Sequence, residues 1–265
     1  MEVILVVFSL ILGVSFGSFL NVVIYRVPLK QSIVFPASHC PLCKKPLKHY
    51  DNIPILSYLV LGGKCRFCRV NISFRYPLVE VITGLAFLLL LILNDYQLDL
   101  ILLKNLVFFT CGIAVIFIDF SHHIIPDVIS LPLVGLGVLF SFFLPATGDS
   151  LSSWQSSVYG AVLGFIIFFI IAWLYQRVKK QDGLGGGDIK YIAGVGAFVG
   201  LGGLLFVLFF SSFFALLGYI FIYLLNHKRD GISEKGVAFG PFITLAAFLY
   251  LLIGESLIDW YMGFY

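Results

Sequence analysis

Long apolar runs alternate with short polar ones along almost the whole chain, and a single polar interval, 26–77, is long. The apolar runs predict helices over 3–24, 78–93, 100–118, 128–144, 157–175, 189–199, 204–225 and 238–252. Most approach the ~20 residues needed to cross a hydrocarbon core. The stretch 191–225 is short for two full spans and a turn, so a short helix over 189–199 is expected to turn near Gly200-Leu201-Gly202-Gly203 into the next. The pattern is that of an all-α polytopic membrane protein with about eight transmembrane helices. It divides into a first transmembrane helix (1–25), a polar loop (26–77) and a seven-helix membrane domain (78–265).

Composition agrees: 60% of the 265 residues are hydrophobic and 12% charged, and the mean hydropathy is +1.03, beyond ordinary soluble domains. The net charge of +3 is small, and nothing in it suggests nucleic-acid binding. The first run follows Glu2 instead of a basic residue and continues to Arg26, which reads as an uncleaved helix in preference to a signal peptide. Within it Gly13, Gly17, Ser18 and Asn21 would let another helix approach closely, with Asn21 facing protein.

Charge placement orients the chain. The loop holds Arg26, Lys30, Lys44, Lys45, Lys48, Lys64, Arg66, Arg69 and Arg75 against the single acid Asp51, so the positive-inside rule makes it cytoplasmic. Alternation then puts Asp95, Asp99, Asp149, Glu255 and Asp259 outside, and Arg177, Lys179, Lys180, Lys228, Arg229 and Lys235 inside. The same alternation brings Asp119 and Asp188 to one face of the membrane.

Two stretches carry candidate chemistry. Gly183-Leu184-Gly185-Gly186-Gly187-Asp188-Ile189-Lys190 offers backbone freedom that would admit another chain beside a carboxylate. Asp119, in Ile118-Asp119 to Pro126-Asp127, stands at the mouth of an earlier run. A carboxylate at the edge of an apolar segment is costly unless it faces a cavity or partner, and two sharing a site suggest proton transfer. Asp127 is an alternative partner, although Pro126 before it suggests a helix start that favours an acid. Lys190 either orients a carboxylate or marks the interface. Cys40-Pro41-Leu42-Cys43 and Cys65-Arg66-Phe67-Cys68, 21 residues apart, form a zinc-ribbon pattern whose four thiolates leave no position open for substrate. In a reducing compartment disulfides are disfavoured. His39 and His49 read as bystanders and Cys111 as a buried apolar residue. His122 and His123 are solvated loop residues or tune the nearby acids.

Six blocks in order resemble one family, the bacterial type IV prepilin peptidases or leader peptidase/N-methyltransferases. They are Gly17-Ser18-Phe19-Leu20-Asn21 through Pro28, the two cysteine knuckles, Arg75-Tyr76-Pro77-Leu78-Val79-Glu80, Ile118-Asp119 through Asp127, Gly185-Gly186-Gly187-Asp188-Ile189-Lys190, and Phe239-Gly240-Pro241-Phe242. The resemblance implies a GxGD-type aspartic intramembrane protease of the bacterial cytoplasmic (inner) membrane, with Asp119 and Asp188 catalytic and Gly185, Gly187, Lys190 and Asp127 in support. It implies prepilin or pseudopilin substrates whose basic leader is cut at the cytoplasmic face, and methylation of the new N-terminus from S-adenosylmethionine. Glu80, at the start of the second helix, is a candidate for the methyltransferase site, with a helix-start role as the plainer reading. From the residues alone the rivals are a proton-coupled transporter, against which the lack of repeated halves counts, and a scaffold with a zinc loop, which leaves both aspartate blocks idle.

Overall fold

The computed structural model describes residues 2–144, 151–181, 183–226 and 238–254, with Ser256, Leu257, Trp260 and Gly263. The expected loop acids Asp149, Glu255 and Asp259 and the bases Lys228, Arg229 and Lys235 lie outside the described residues. Among the described residues eight α-helices follow in order: α1 (Glu2–Arg26), α2 (Leu56–Val60), α3 (Arg75–Leu93), α4 (Leu100–His122), α5 (Asp127–Phe143), α6 (Ser153–Lys179), α7 (Gly186–Asn226) and α8 (Gly240–Leu249). Among the described residues five helices, α1, α3, α4, α6 and α7, are long and apolar enough to cross a membrane, while α5 and the segment Gly240–Gly254 are shorter apolar helices. The fold is that of an all-α, multi-pass membrane protein. It forms two compact units, Met1–Ala114 and Val115–Tyr265.

In the first unit α1 packs along α3. A Cβ at Gly17 would stand 2.7 Å from the Glu80 Cα, and one at Gly13 2.9 Å from the Gly84 Cα, so glycine is what permits this approach. Asn21 is buried, and its Nδ2 donates to the Tyr76 carbonyl across the pair at 3.0 Å. Arg26 closes α1 by donating to the carbonyls of Ser32 (3.0 Å) and Pro36 (2.8 Å), which turns the chain into the polar loop.

In the second unit α7 is the centre, packed by α5, α6 and α8. Tyr191 to Val199 are all buried, as expected of a helix apolar on every side. The expected break near Gly200 is a kink within α7: Gly200 takes φ 73°, ψ −176°, a region essentially reserved for glycine. The amide freed there, Leu201 N–H, donates to Ser156 Oγ of α6 at 3.0 Å, which satisfies it where lipid would not. Gly160 of α6 and Gly196 of α7 meet backbone to backbone.

Candidate active site

The site lies wholly within the second unit, and its residues come from the helix ends around α7. Asp119 falls inside the last turn of α4, which runs to His122, one turn beyond the sequence boundary at 118. The helix continues because nothing before Pro126 stops it; His123, with φ 53° and its N–H on the Asp119 carbonyl at 2.9 Å, closes it. Burial is what this extra turn achieves, for Asp119 is 4% exposed. Its Oδ2 accepts the Gly240 N–H, at the first residue of α8, at 3.0 Å.

Asp188 sits in the first turn of α7, with its N–H on the Gly185 carbonyl at 3.1 Å. Its Oδ1 is buried and has no hydrogen-bond partner, a costly state for a carboxylate oxygen. The two carboxylates lie close enough for the charge of Asp119 to act on Asp188. Ile125 joins their supports: a Cβ at Gly187 would stand 2.9 Å from the Ile125 carbonyl oxygen, and one at Gly240 would stand 2.8 Å from both Ile125 Cδ1 and Asp119 Oδ2. From Asp119 the contacts therefore run through Gly240, Ile125 and Gly187 to Asp188.

The glycine run works differently from the expectation. Gly185, Gly186 and Gly187 take none of the positive φ angles that Gly62, Gly63 and Gly200 do. What Gly187 supplies is the missing Cβ that lets the chain's own Ile125 close in. At Gly185 a Cβ would come within 2.9 Å of Asp188 Oδ2, and at Gly186 it would meet open space. One face of the run is thus packed and the other open beside the carboxylate.

Asp127, the first residue of α5 after an N-cap Pro126, does not join the pair. Both of its oxygens accept from Lys190 Nζ, at 2.8 and 2.7 Å, which leaves it occupied by a cation. The ion pair ties the start of α5 to the turn of α7 that carries Asp188. Gly240 and Thr244 are the residues that sequence reasoning missed. Thr244 Oγ1 donates to the Gly240 carbonyl at 2.8 Å and lies 2.7 Å from the buried Tyr191 hydroxyl, so the strut beneath the Asp119 hydrogen bond reaches back into α7. The Phe239-Gly240-Pro241-Phe242 block was visible, but a backbone donor has no side-chain signature.

A second candidate site is in the first unit. Cys40, Cys43, Cys65 and Cys68 converge, with all ligand atoms within 4.8 Å of one another. The knuckles repeat one geometry. Cys40 N–H bonds the Lys45 carbonyl (3.0 Å) and Cys65 N–H the Val70 carbonyl (2.8 Å), and Lys44 and Arg69, each just after a second cysteine, take φ 58° and 59°. The fit to zinc is direct: bonds of ~2.3 Å in a tetrahedron put sulfurs ~3.8 Å apart, and Cys40 Sγ and Cys68 Sγ are 3.8 Å apart. The backbone N–H groups of Cys68 and Phe67 favour the thiolate of Cys65, the form a metal needs, while the crowding of the other thiols pushes Cys68 the opposite way. Below the knuckles the Asp51 carboxylate accepts from Arg66 at 2.6 Å, and that guanidinium holds Asp51 below the usual carboxylate range.

Glu80 is not at a helix start, since α3 begins five residues earlier at Arg75. It is buried, and its Oε2 accepts the Ile55 N–H at 2.7 Å.

Two family models cover most of the chain. One described as "Bacterial Peptidase A24 N-terminal domain" matches residues 11–93, and one described as "Type IV leader peptidase family" matches residues 106–226. Curated relatives named "Prepilin leader peptidase/N-methyltransferase" are 33% identical in Neisseria gonorrhoeae, over 95% of this chain and 93% of the relative, and 33% in Aeromonas salmonicida, over 97% and 94%. One of the same name in Myxococcus xanthus is 41% identical over 78% of this chain and 59% of the relative. No solved structure matches.

Proposed function

The chain belongs to the type IV leader peptidase family, and from that premise we propose that it removes the basic leader of type IV prepilins or pseudopilins with Asp119 and Asp188, then N-methylates the new N-terminus. What supports the peptidase reading is a pair of carboxylates within electrostatic range of each other, one oxygen of Asp119 held by Gly240 N–H and one of Asp188 buried without a partner.

The chemistry follows from that pairing. In an aspartyl dyad one carboxylate is the anion and the other keeps its proton. A water oxygen attacks the scissile carbonyl carbon while the anion takes its proton and the protonated partner hydrogen-bonds the carbonyl oxygen. The tetrahedral intermediate then collapses, the C–N bond breaks, and the leaving amine takes a proton from the pair. The open face at Gly186 gives the substrate backbone room beside Asp188, while Gly185 and Gly187 keep that turn free of side chains. Lys190 and Asp127 position the turn by their ion pair and do not touch the reacting atoms.

The four cysteines would hold a structural zinc ion, a closed site that stiffens the loop. S-adenosylmethionine would supply a methyl group as a sulfonium electrophile. The described residues around Glu80 do not match it. Glu80 is engaged with Ile55, and the cavity beside that turn is lined by Ile55, Tyr58, Leu59, Phe74, Pro77, Leu78 and Val81, too apolar for ribose hydroxyls and an amino-acid end. Methylation therefore rests on the relatives' names. The excess of basic residues in 26–77 supports a cytoplasmic loop and, by alternation, a cytoplasmic active face in the inner membrane.

Membranes carrying the chain, incubated with a prepilin, test both activities through the N-terminal mass of the product. Leader loss is expected, with a methyl-sized increment that requires S-adenosylmethionine. An uncut prepilin would overturn the reading, and cleavage without the increment would remove its second half.

A further inference from the structure

Helix α2 buries none of its five residues, although four of them are apolar. Val60 is 80% exposed, Leu59 66%, Leu56 59%, and Phe74 just before α3 67%. In water such a patch would be a liability in the middle of a polar loop. Its position along α3 removes the difficulty. A cavity of about 260 Å³ lies where Ile55, Tyr58 and Leu59 face Phe74, Pro77, Leu78 and Val81, so α2 stands beside the first two turns of α3. Val81 is six residues into that helix, ~9 Å along its axis at ~1.5 Å per residue.

The depth of those turns follows from length. α3 has 19 residues, ~28 Å of helix, against a hydrocarbon core ~30 Å thick. A helix that just spans has its first turns at or inside the boundary, so whatever packs beside them is at that depth as well. The exposed stripe is also continuous with the outer face of α3, where Leu78, Val81, Ile82, Leu85 and Leu89 are exposed at helical spacing. The chain's own geometry holds α2 there. Ile55, just before it, has φ 60°, ψ −53°, and Leu56 N–H bonds the Pro54 carbonyl at 2.5 Å: a strained γ-turn rare for a β-branched residue. The buried Glu80 of α3 holds that turn through the Ile55 N–H.

We propose that α2 is an interfacial anchor of the cysteine loop, immersed beside the first turns of α3, with lipid acyl chains occupying the cavity between them. Glu80 is then a positioning residue, for it pins the turn that aims α2 into the bilayer. The inference is independent of the reaction proposed above.

The full chain in vesicles of phosphatidylcholine and phosphatidylglycerol tests it. With Trp154, Trp173 and Trp260 replaced by Phe, Val60→Trp is expected to be quenched at least twofold by lipids brominated high on the acyl chain and to be shielded from acrylamide. Leu42→Trp on the first knuckle should show the reverse. Equal behaviour of the two probes, or an acrylamide-accessible Val60→Trp, would overturn the anchor. Bromolipid quenching that a prepilin leader peptide abolishes would also overturn it, in favour of a substrate groove. In a chain keeping its native tryptophans, benzoylphenylalanine in place of Val60 should yield lipid adducts on irradiation; their absence would count equally against the proposal.

Discussion

In the cysteine loop the buried Asp51 carboxylate is gripped by the Arg66 guanidinium at 2.6 Å, whereas the buried Asp119 carboxylate in the membrane accepts a neutral backbone N–H at 3.0 Å, and Asp188 keeps a buried oxygen with no partner. The loop also closes four sulfurs on one another. Groups whose demands are met in place hold structure, because any change to them costs stability. Groups left short of partners are free to take a proton, a water or a substrate carbonyl, and this is where chemistry is expected. Asp127 shows the distinction inside one unit: it lies eight residues after Asp119, yet Lys190 satisfies both of its oxygens.

The support of the pair that holds the unpartnered oxygen is the place to break this contrast hardest. Gly240→Ala would place a Cβ 2.8 Å from Asp119 Oδ2 and Ile125 Cδ1, so the carboxylate must move; cleavage should fall about 100-fold, the cost of a displacement near 1 Å, with the fold retained by thermal unfolding. Unchanged turnover would mean that Gly240 does not position Asp119. Next comes the satisfied acid nearby. Lys190→Met should lower cleavage roughly tenfold through lost positioning, and exchanging the two residues as Lys190→Asp with Asp127→Lys should recover much of it. If the exchange behaves no better than the single change, the ion pair is not the device.

Metal removal sharpens the other side of the comparison. The chain is expected to bind about one zinc ion, as four thiolates form one closed site. Cys65→Ser should release it and expose the loop to protease, while cleavage by the second unit drops less than tenfold; a collapse of cleavage as large as that from Gly240→Ala would merge two regions that are here held apart. The smallest effect is expected at Asp51. Arg66 keeps its folded value below the ordinary one, so the carboxylate stabilises the loop above pH ~4 and loses that contribution as pH falls through the usual carboxylate range toward the lower folded value. The protease resistance that separates the native loop from Asp51→Asn should therefore narrow on acidification. A gap that widens would contradict the sign.

The helices were legible because apolar runs near the length of a bilayer crossing leave little choice, and Gly200 announced its kink by standing in a stretch too short for two spans. Charge alternation is what predicts one membrane face for Asp119 and Asp188. The knuckles were legible in their spacing. The rest depends on groups without a sequence signature or on partners far apart in the chain. The Gly240 N–H is 121 residues from Asp119, and Lys190 is 63 from Asp127. Gly187 reads as conformational freedom in sequence, but in the fold it is a missing Cβ against Ile125. Glu80 reads as near a helix start because the apolar run begins at Leu78, whereas α3 begins before it at Arg75.

The central claim is that Asp119 and Asp188 perform the cleavage while Asp127 supports them. Membranes carrying Asp119→Asn, Asp188→Asn or Asp127→Asn, each at matched abundance and incubated with one prepilin, decide it by the fraction of leader removed. The account predicts an intact leader with the first two variants, a loss of roughly a thousandfold or more, and partial processing with the third. Processing that persists in either of the first two, or that Asp127→Asn abolishes as completely, would contradict it.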